Sequence, residues 1–286
     1  MKSSSLAAVC LAGLTTLTAQ AQTISVNSGS LGSAGNGTNS ASVTLTEAGP
    51  LLAPGDLAAG YASGTASSTS VPYNAALNPA AASPFTIEFW ARPSLLITDA
   101  PGPAPVFNRI SDGDRSGWVF FQRSPSTGWN FRMYDGNGSN VGFSLTGGTA
   151  EVNLWSHVVA VWNGSSASLF VNGTLADDTN DGSGTYVSNA GPSAPLFTVG
   201  TYDDGTSNPF DGLMDEVAFY GAALSAGQIA QHYSTATTDA TVGAYSSLIL
   251  SDGAVEYLQN VPEPASVSML GLAGCLIMSR RRRARA

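Results

Sequence analysis

The segment Trp155–Trp162 constrains the fold of this chain more than any other. Along Trp-Ser-His-Val-Val-Ala-Val-Trp both sets of alternating positions are largely apolar, and successive side chains of a strand point to opposite faces of its sheet. The segment is therefore predicted to be a central strand buried on both sides. Asn163-Gly164 and Asn172-Gly173 follow it, and each pair predicts a hairpin, since both central residues of a type I′ turn need positive φ.

Two longer segments strengthen the prediction of a β protein. Phe85–Ala91 alternates, with the three apolar residues Phe85, Ile87 and Phe89 on one face. Gly212–Tyr220 predicts another strand, with Leu213, Asp215, Val217 and Phe219 on one face. Shorter strands are predicted at Val43–Leu45, Ser116–Gln122, Trp129–Tyr134, Val141–Leu145, Ser168–Val171 and Leu196–Gly200.

One short helix is predicted after these strands. Ser225-Ala-Gly-Gln228 is a capping-box pattern that opens a helix through Tyr233. Residues 236–260 are predicted to be a linker that holds one more strand, Leu248–Leu250. The fold class that follows is an all-β, two-sheet antiparallel sandwich with a short C-terminal helix.

Four ordered segments resemble a laminin-G-like, concanavalin-A-like jelly-roll module. They are Phe85–Pro93, Trp155–Val161, Leu169–Gly173 and Phe210–Tyr220. The resemblance implies two antiparallel sheets packed face to face, and the domain is assigned to residues 22–235. Modules of this kind often open with a strand similar to Tyr245–Tyr257, which in this chain comes last. It is either the remnant of a second copy or a strand that completes the sheet.

The N-terminus predicts a secretory signal peptide over residues 1–21. Lys2 precedes an apolar run of small residues, and Ala19-Gln20-Ala21 is a small-x-small cleavage site for signal peptidase. The mature chain is expected to begin at Gln22, outside the cytoplasm.

The C-terminus, residues 261–286, combines three features of a sorting signal. Pro262-Glu263-Pro264 precedes an apolar run from Ala265 to Met278, and Arg280, Arg281, Arg282 and Arg283 follow. As a helix the run would span about 21 Å, less than a hydrocarbon core of about 30 Å. The tail resembles the PEP-CTERM signal of Gram-negative bacteria that make exopolysaccharide, which implies processing by an exosortase. The expected tail is an apolar, short transmembrane helix that anchors the protein in the cell envelope at least transiently; a plain C-terminal anchor is the alternative.

Charge and cysteine content exclude several kinds of function. Residues 22–264 keep five arginines, no lysine and all 20 acidic residues, so their net charge is −15 (5 minus 20). Such a chain should repel nucleic acid. Both cysteines, Cys10 and Cys275, lie in the terminal signals, so no disulfide or thiolate site is expected in the mature domain.

No catalytic pair is evident in the sequence. Glycoside hydrolases of this sandwich carry Glu-x-Asp-x-Glu on one strand, and a retaining pair needs two carboxyls about 5 Å apart; the chain has no such triplet. His157 and His232, the only histidines, are predicted to be structural. The expectation is therefore that the protein is not an enzyme, with a glycoside hydrolase as the less favoured alternative.

Candidate binding residues follow from side-chain chemistry. Aromatic faces stack on sugars, which makes Trp118, Trp129, Tyr134 and Tyr202 candidates for a carbohydrate-binding platform. Calcium takes six to eight oxygen ligands, which makes Asp203, Asp204 and Asp215 candidate metal ligands. The sequence thus favours a secreted, lectin-like recognition module associated with exopolysaccharide; a purely structural surface protein is the alternative.

Overall fold

The computed structural model describes residues 24–98, 102–110, 113–189 and 196–259. The predicted signal peptide and the predicted sorting signal, including its apolar tail helix, lie outside these residues. Within them the chain forms sixteen strands and two α-helices, together with short 3-10 turns at Gly32–Gly35 and Ala75–Leu77. All strand pairs are antiparallel, which agrees with the predicted fold class.

The strands are numbered along the chain. They are β1 (Ile24–Asn27), β2 (Gly37–Asn39), β3 (Thr44–Ala48), β4 (Leu57–Tyr61), β5 (Thr69–Val71), β6 (Phe85–Pro93), β7 (Val106–Arg109), β8 (Gly117–Gln122), β9 (Trp129–Tyr134), β10 (Val141–Gly147), β11 (Ser156–Trp162), β12 (Ala167–Val171), β13 (Thr174–Asp177), β14 (Phe197–Val199), β15 (Gly212–Tyr220) and β16 (Ala254–Gln259). The helices are α1 (Ala226–Thr238) and α2 (Ala244–Ser251), and both lie between β15 and β16 in the sequence.

The strands form two sheets joined through β1. The front sheet has the order β10-β9-β8-β7-β14-β5-β2, and the back sheet has the order β13-β12-β11-β6-β15-β16. The first half of β1 pairs with β2 and its second half pairs with β16, so β1 links the sheets. On the back sheet, β4 pairs with the start of β15 and with β3.

The alternating residues of the predicted strands build the core between the sheets. Phe85, Ile87 and Phe89 of β6 are buried there together with Val158 and Trp162 of β11. Strand β11 lies between β6 and β12, and every one of its residues is buried. The prediction of a central strand apolar on both faces is confirmed, because the second face is covered as well.

That second face packs under the two helices. Ile229 of α1 and Ile249 of α2 join Val159 and Tyr220 in a separate apolar cluster on the outer face of the back sheet. The predicted capping box is present at Ser225 and Gln228, and the helix continues to Thr238 rather than ending near Tyr233.

The prediction of a linker over residues 236–260 is wrong. Leu248–Leu250, predicted to be a strand, lies in α2, and the stretch after it is β16, which pairs with β15 and β1. Strand β16 therefore completes the back sheet from the far end of the chain, which is one of the two alternatives left open. Only Ile249 of this apolar run is buried, whereas Leu250 is 41 % exposed. A helix of eight residues is too short to show a clear helical period.

A β-bulge changes the predicted faces of β15. Asp215 pairs with Trp90, whereas Ala218 pairs with Glu88, so one extra residue is accommodated at Glu216, which has φ +53°. Met214, Val217 and Phe219 all face the core. Asp215 therefore does not share a face with Val217 and Phe219, because the bulge breaks the period of two.

The two Asn-Gly turns differ. Asn172 and Gly173 both have positive φ (52° and 75°), as a type I′ turn requires. Of the other pair only Gly164 has positive φ; the side chain of Asn163 instead accepts hydrogen bonds from the backbone N–H groups of Ser165 and Ser166.

Among the described residues, no helix is long and apolar enough to cross a membrane.

Candidate functional sites

The outer face of the front sheet is the first candidate site. Helices α1 and α2 cover the outer face of the back sheet but not that of the front sheet. Side chains on the front sheet's outer face form a small apolar cluster of Phe107, Val119, Phe121 and Tyr134, with Ala104 beside it. Arginines lie among these aromatic rings, and we call this surface the arginine face, defined by Arg109, Phe121, Arg132, Tyr134 and Tyr202.

The pairing of β7, β8 and β9 places Arg109 against aromatic rings. Arg109 lies opposite Gly117, which has no side chain. The guanidinium carbon of Arg109 is 4.8 Å from the ring centre of Tyr134 and 5.0 Å from that of Tyr202. A side chain at Gly117 would collide with the carbonyl oxygen of Asn108. The glycine thus allows β8 to pass close to the backbone of Asn108 and to the side chain of Asn189.

Arg109 is buried to an unusual degree for a cation. The residue is 2 % exposed, and its Nε and Nη1 groups have no hydrogen-bond acceptor among the described residues. Burial lowers its pKa, an effect opposed by the charges of Tyr134 and Tyr202. A guanidinium remains protonated in proteins, so a positive charge is held just beneath this surface.

Arg132 is the second cation of the face. It pairs with Val119 of β8, is half-buried, and its guanidinium carbon is 5.2 Å from the ring centre of Phe121. Its Nε group also has no acceptor among the described residues.

The structure separates the four aromatic residues predicted to bind sugar. Trp118 and Trp129 point into the core and are 1 % and 0 % exposed, and the indole N–H of Trp129 donates to the carbonyl of Thr149 (3.0 Å). Neither ring presents a face to solvent. Tyr134 lies on the arginine face but is buried beneath Arg109. Tyr202 is half-buried there, stacked on Phe107 at 4.6 Å between ring centres. Trp129 and Tyr134 point to opposite faces of the front sheet, because they are an odd number of residues apart in β9 and successive side chains of a strand alternate between faces.

The second candidate site is a carboxylate cluster on the back sheet. Strand β15 pairs with β4 before the bulge and with β16 after it, so Asp215 and Glu216 lie where the sheet forks. Asp56, the residue before β4, joins them, and one carboxylate oxygen from each lies within 4.8 Å of the others. This group was not evident from the sequence, because Asp56 lies far from Asp215 and Glu216 along the chain.

Burial tunes the carboxyl groups of this cluster. Burial raises the pKa of Glu216 to about 8, with added repulsion from Asp56 and Glu88, whereas a hydrogen bond from Tyr257 lowers it. Burial also raises the pKa of Asp56, opposed by the N–H of Leu51, which donates to it at 2.8 Å. The cluster therefore holds groups that a cation or a shared proton would stabilise.

The surroundings of the cluster are both tight and open. A side chain at Gly49 would collide with the carboxylates of Asp56 and Asp215. On another side, Asp56 and Glu216 line a cavity of about 290 Å³, closed by Gly243 and Ser246 of the α2 region. Asp215 and Glu216 themselves are 1 % and 2 % exposed.

Of the three predicted metal ligands, only Asp215 belongs to this cluster. Asp204 is exposed, and its carboxylate accepts hydrogen bonds from the backbone N–H groups of Thr206 and Ser207. Asp203 lies near the arginine face, where its charge acts on Arg109. Asp203 and Asp204 were predicted because they are adjacent acidic residues in a loop. The carboxylates that the fold brings together with Asp215 are those of Asp56 and Glu216.

A third group of titratable residues is structural. Glu88 is fully buried and accepts four hydrogen bonds, from His157 (2.7 Å), Tyr245 (2.8 Å), His232 (2.8 Å) and Tyr220 (2.9 Å). Burial alone would raise the pKa of Glu88, but the hydrogen bonds and charges of the histidines outweigh burial and hold it well below its ordinary value. The network ties both helices to β6, which is the structural role predicted for the two histidines.

Comparison with known proteins agrees with the fold. A laminin G family model, described as the concanavalin A-like lectin/glucanases superfamily, matches residues 63–230. No curated protein sequence matches the chain.

Solved structures similar to this chain include three toxin binding domains. The binding domain of Paraclostridial Mosquitocidal Protein 1 matches with a TM-score of 0.51 at 17% identity, over 74% of this chain and 52% of that one. The binding domain of Botulinum Neurotoxin DC in complex with SialylT has a TM-score of 0.51 at 15% identity, over 71% and 47%. The botulinum neurotoxin serotype C1 binding domain has a TM-score of 0.50 at 16% identity, over 70% and 47%. The chain spans about half the length of these structures, and identities this low show a shared fold alone.

Proposed function

Since the chain belongs to the concanavalin A-like lectin/glucanases superfamily, we propose that it is a non-enzymatic recognition module whose partner is a glycan. The observation that carries this proposal is the arginine face. It combines two half-buried side chains, Tyr202 and Arg132, with the buried cation of Arg109 beside Tyr202, on a sheet face that α1 and α2 do not cover. Aromatic rings with a few convergent polar groups are the usual composition of a sugar-binding surface.

The toxin binding domains support the proposal in a limited way. They show that this sandwich serves as a binding domain, and one of them was solved in complex with SialylT. Fold does not fix function, so the weight rests on the surface itself.

Hydrolysis of a glycan is the weaker candidate. A retaining pair needs two carboxyls about 5 Å apart that flank the scissile bond, and the cluster of Asp56, Asp215 and Glu216 meets the spacing. However, Asp215 and Glu216 are almost fully buried, and Glu216 already accepts a hydrogen bond from Tyr257. Glu216 meets the cavity beside Asp56 with only 2 % of its surface and Asp215 is 1 % exposed, so the cluster offers little carboxylate surface to a sugar oxygen.

A calcium ion is the occupant that we propose for this cluster. Hard cations take oxygen ligands, the three residues each offer one, and a side chain at Gly49 would fill the space beside two of them. The carboxylates of Asp56 and Asp215 would bind the ion. The carboxylate of Glu216 would be the third ligand and would contribute further negative charge to the site. The ion would link the start of β4 to the bulge of β15 and so stabilise the fork in the sheet.

Calcium binding is tested by thermal unfolding. Calcium chloride should raise the Tm of the wild-type protein and of Asp204→Asn, because Asp204 is an exposed loop residue, but should leave the Tm of Asp215→Asn unchanged. An equal rise in Tm for all three proteins would show that calcium binds at another site or binds nonspecifically.

Export to the cell envelope or beyond is also part of the proposal. It is supported by the signal-peptide pattern around Ala19 and Ala21 and by the Pro262-Glu263-Pro264 tail with its arginine cluster. Intact-mass measurement of protein from the producing cell tests both ends. Retention of Ala265–Ala286 in mature protein would leave a plain membrane anchor rather than an exosortase signal.

The glycan proposal itself is tested by binding to a glycan array that includes the polysaccharide of the producing cell. We expect binding by the wild-type chain and a loss of binding in Tyr202→Ala. Tyr233→Ala is the matched control, because Tyr233 is also half-buried but stacks on Trp90 at the opposite face of the sandwich. No binding to any polysaccharide would favour a purely structural surface protein.

A further inference from the structure

The distribution of positive charge on this acidic chain is strongly uneven. Residues 22–264 contain five arginines, no lysine and 20 acidic residues. Four of the five arginines fall on or beside β7, β8 and β9 of the front sheet: Arg109, Arg115, Arg123 and Arg132. The fifth, Arg92, lies on β6 of the back sheet. A chain that needed arginines only for solubility would gain nothing from gathering them on one side.

Two pairs of these arginines are close enough for their charges to repel. The charge of Arg115 lowers the pKa of Arg109, and that of Arg132 lowers the pKa of Arg123, in both cases after the larger effect of burial. Arg109 and Arg132 occupy β7 and β9 with β8 between them, and they lie opposite Gly117 and Val119 of β8. Two strand spacings across the sheet and two residues along it place their Cα atoms about 12 Å apart. Two cations at such a distance on one face, about one Debye length apart, create a local positive field in an otherwise negative molecule.

The arginine face also contains N–H donors for which the described residues offer no acceptor. Arg109 is 2 % exposed, and its Nε and Nη1 have no acceptor among the described residues; Nε of Arg132 has none either. Buried polar groups are normally hydrogen-bonded, and guanidinium groups match carboxylates in geometry. The aromatic rings of Phe121, Tyr134 and Tyr202 lie against the two guanidiniums and fix their positions, but the tyrosine hydroxyls do not accept a hydrogen bond from these N–H groups.

We propose that the arginine face selects polysaccharides that carry carboxylate groups, such as uronic acid polymers. Arg132, which is half-buried, meets a sugar carboxylate directly, and Arg109 adds its charge from beneath Tyr202, whose ring offers the stacking surface. The carboxylate of Asp203 near Arg109 opposes nonspecific binding of polyanions to this end of the face. This inference rests on the proposed glycan-binding function and narrows it to one class of sugar.

The experiment compares one polymer in charged and uncharged form. The full chain is titrated with polygalacturonate and with the same polymer after methyl esterification, in low salt and in sodium chloride at about 0.5 M, where the Debye length is short. We expect affinity for polygalacturonate to exceed that for the ester by about tenfold or more, the range of a hydrogen bond to a charged group. The difference should shrink in high salt.

Two substitutions identify the surface. Arg132→Gln should remove most of the preference for the charged polymer, whereas Arg92→Gln, which changes the net charge equally, should leave it intact. Arg109→Gln is measured together with its Tm, so that a loss of binding in a folded variant is distinguished from unfolding.

Each outcome bears on a different claim. Equal affinity for both polymers, or a preference unaffected by Arg132→Gln, would overturn the inference and leave glycan binding in place. Binding to neither polymer but to neutral glycans on an array would likewise overturn the inference alone. Binding to no polysaccharide at all would overturn the proposed function and the inference with it.

Discussion

Glu256 offers the sharpest test of the electrostatics of this fold. It lies in β16, is 0 % exposed, and neither of its carboxylate oxygens has a hydrogen-bond partner among the described residues. Gly35 lies so close that a side chain there would collide with the carboxylate. Burial raises the pKa of Glu256 from 4.5 to about 8.

The sign and size of the effect follow from this pKa. Between pH 4.5 and pH 8 the unfolded chain releases the proton of Glu256 while the folded chain keeps it, so stability falls as pH rises. Each pH unit in this window is worth about 1.4 kcal/mol. Glu256 therefore lowers the free energy of unfolding by about 3 kcal/mol between pH 4.5 and pH 7, and by about 5 kcal/mol once the pH reaches 8.

Glu256→Gln should remove this pH dependence, because glutamine resembles the protonated acid in shape and polarity. The variant should match the wild type within about 1 kcal/mol near pH 5 and exceed it by about 3–5 kcal/mol near pH 8. Urea unfolding followed by tryptophan fluorescence at several pH values gives both free energies. Other titrating groups are present in both proteins, so they cancel in the difference.

The control is Glu151→Gln, a substitution of an exposed glutamate. Its stability relative to the wild type should not change with pH. A constant difference between Glu256→Gln and the wild type from about pH 5 to about pH 8 would show that Glu256 is solvated or paired in solution, and the reasoning from burial would fail.

Two further substitutions test the assignment of buried groups. Trp129→Ala should cost about 3–5 kcal/mol in urea unfolding, since its ring packs against Phe89 in the core; a cost below about 1 kcal/mol would return Trp129 to the surface as a sugar-binding residue. Glu88→Gln should cost about 3–5 kcal/mol near pH 7, because it removes the buried carboxylate that accepts hydrogen bonds from His157 and His232; an unchanged urea midpoint would contradict the network's structural role.

Local sequence patterns predicted those strands whose buried faces can be recognised from the strand's own residues. The alternation of β6 and the apolar character of β11 identified their buried faces, because a period of two is visible in a single segment. The bulge at Glu216 was not visible in this way, since an extra residue in a strand leaves no signal in composition. Helix α2 was also missed, since eight apolar-rich residues fit a strand as well as a helix.

The candidate sites depended on contacts that sequence does not contain. Asp56 and Asp215 meet only because β4 and β16 share one edge of β15. The spacing of these residues along the chain does not predict that contact. The arginine face was closer to being predictable, because four arginines within residues 109–132 form a visible concentration in a lysine-free domain. The sequence did not show which alternate residues of β7 and β9 point away from the core, and this decides that Arg109 and Arg132 share a face.

We expect the two faces of the sandwich to differ in function, for a physical reason. The outer face of the back sheet is closed by α1 and α2, which Glu88 fixes through His232 and Tyr245. Residues on that face contribute to stability, since ligand binding there would require breaking hydrogen bonds to a buried charge. The front sheet carries no such cover over Arg132 and Tyr202 among the residues that the structure describes. Recognition is therefore expected on the front sheet, and substitutions there should change binding while those around Glu88 change stability.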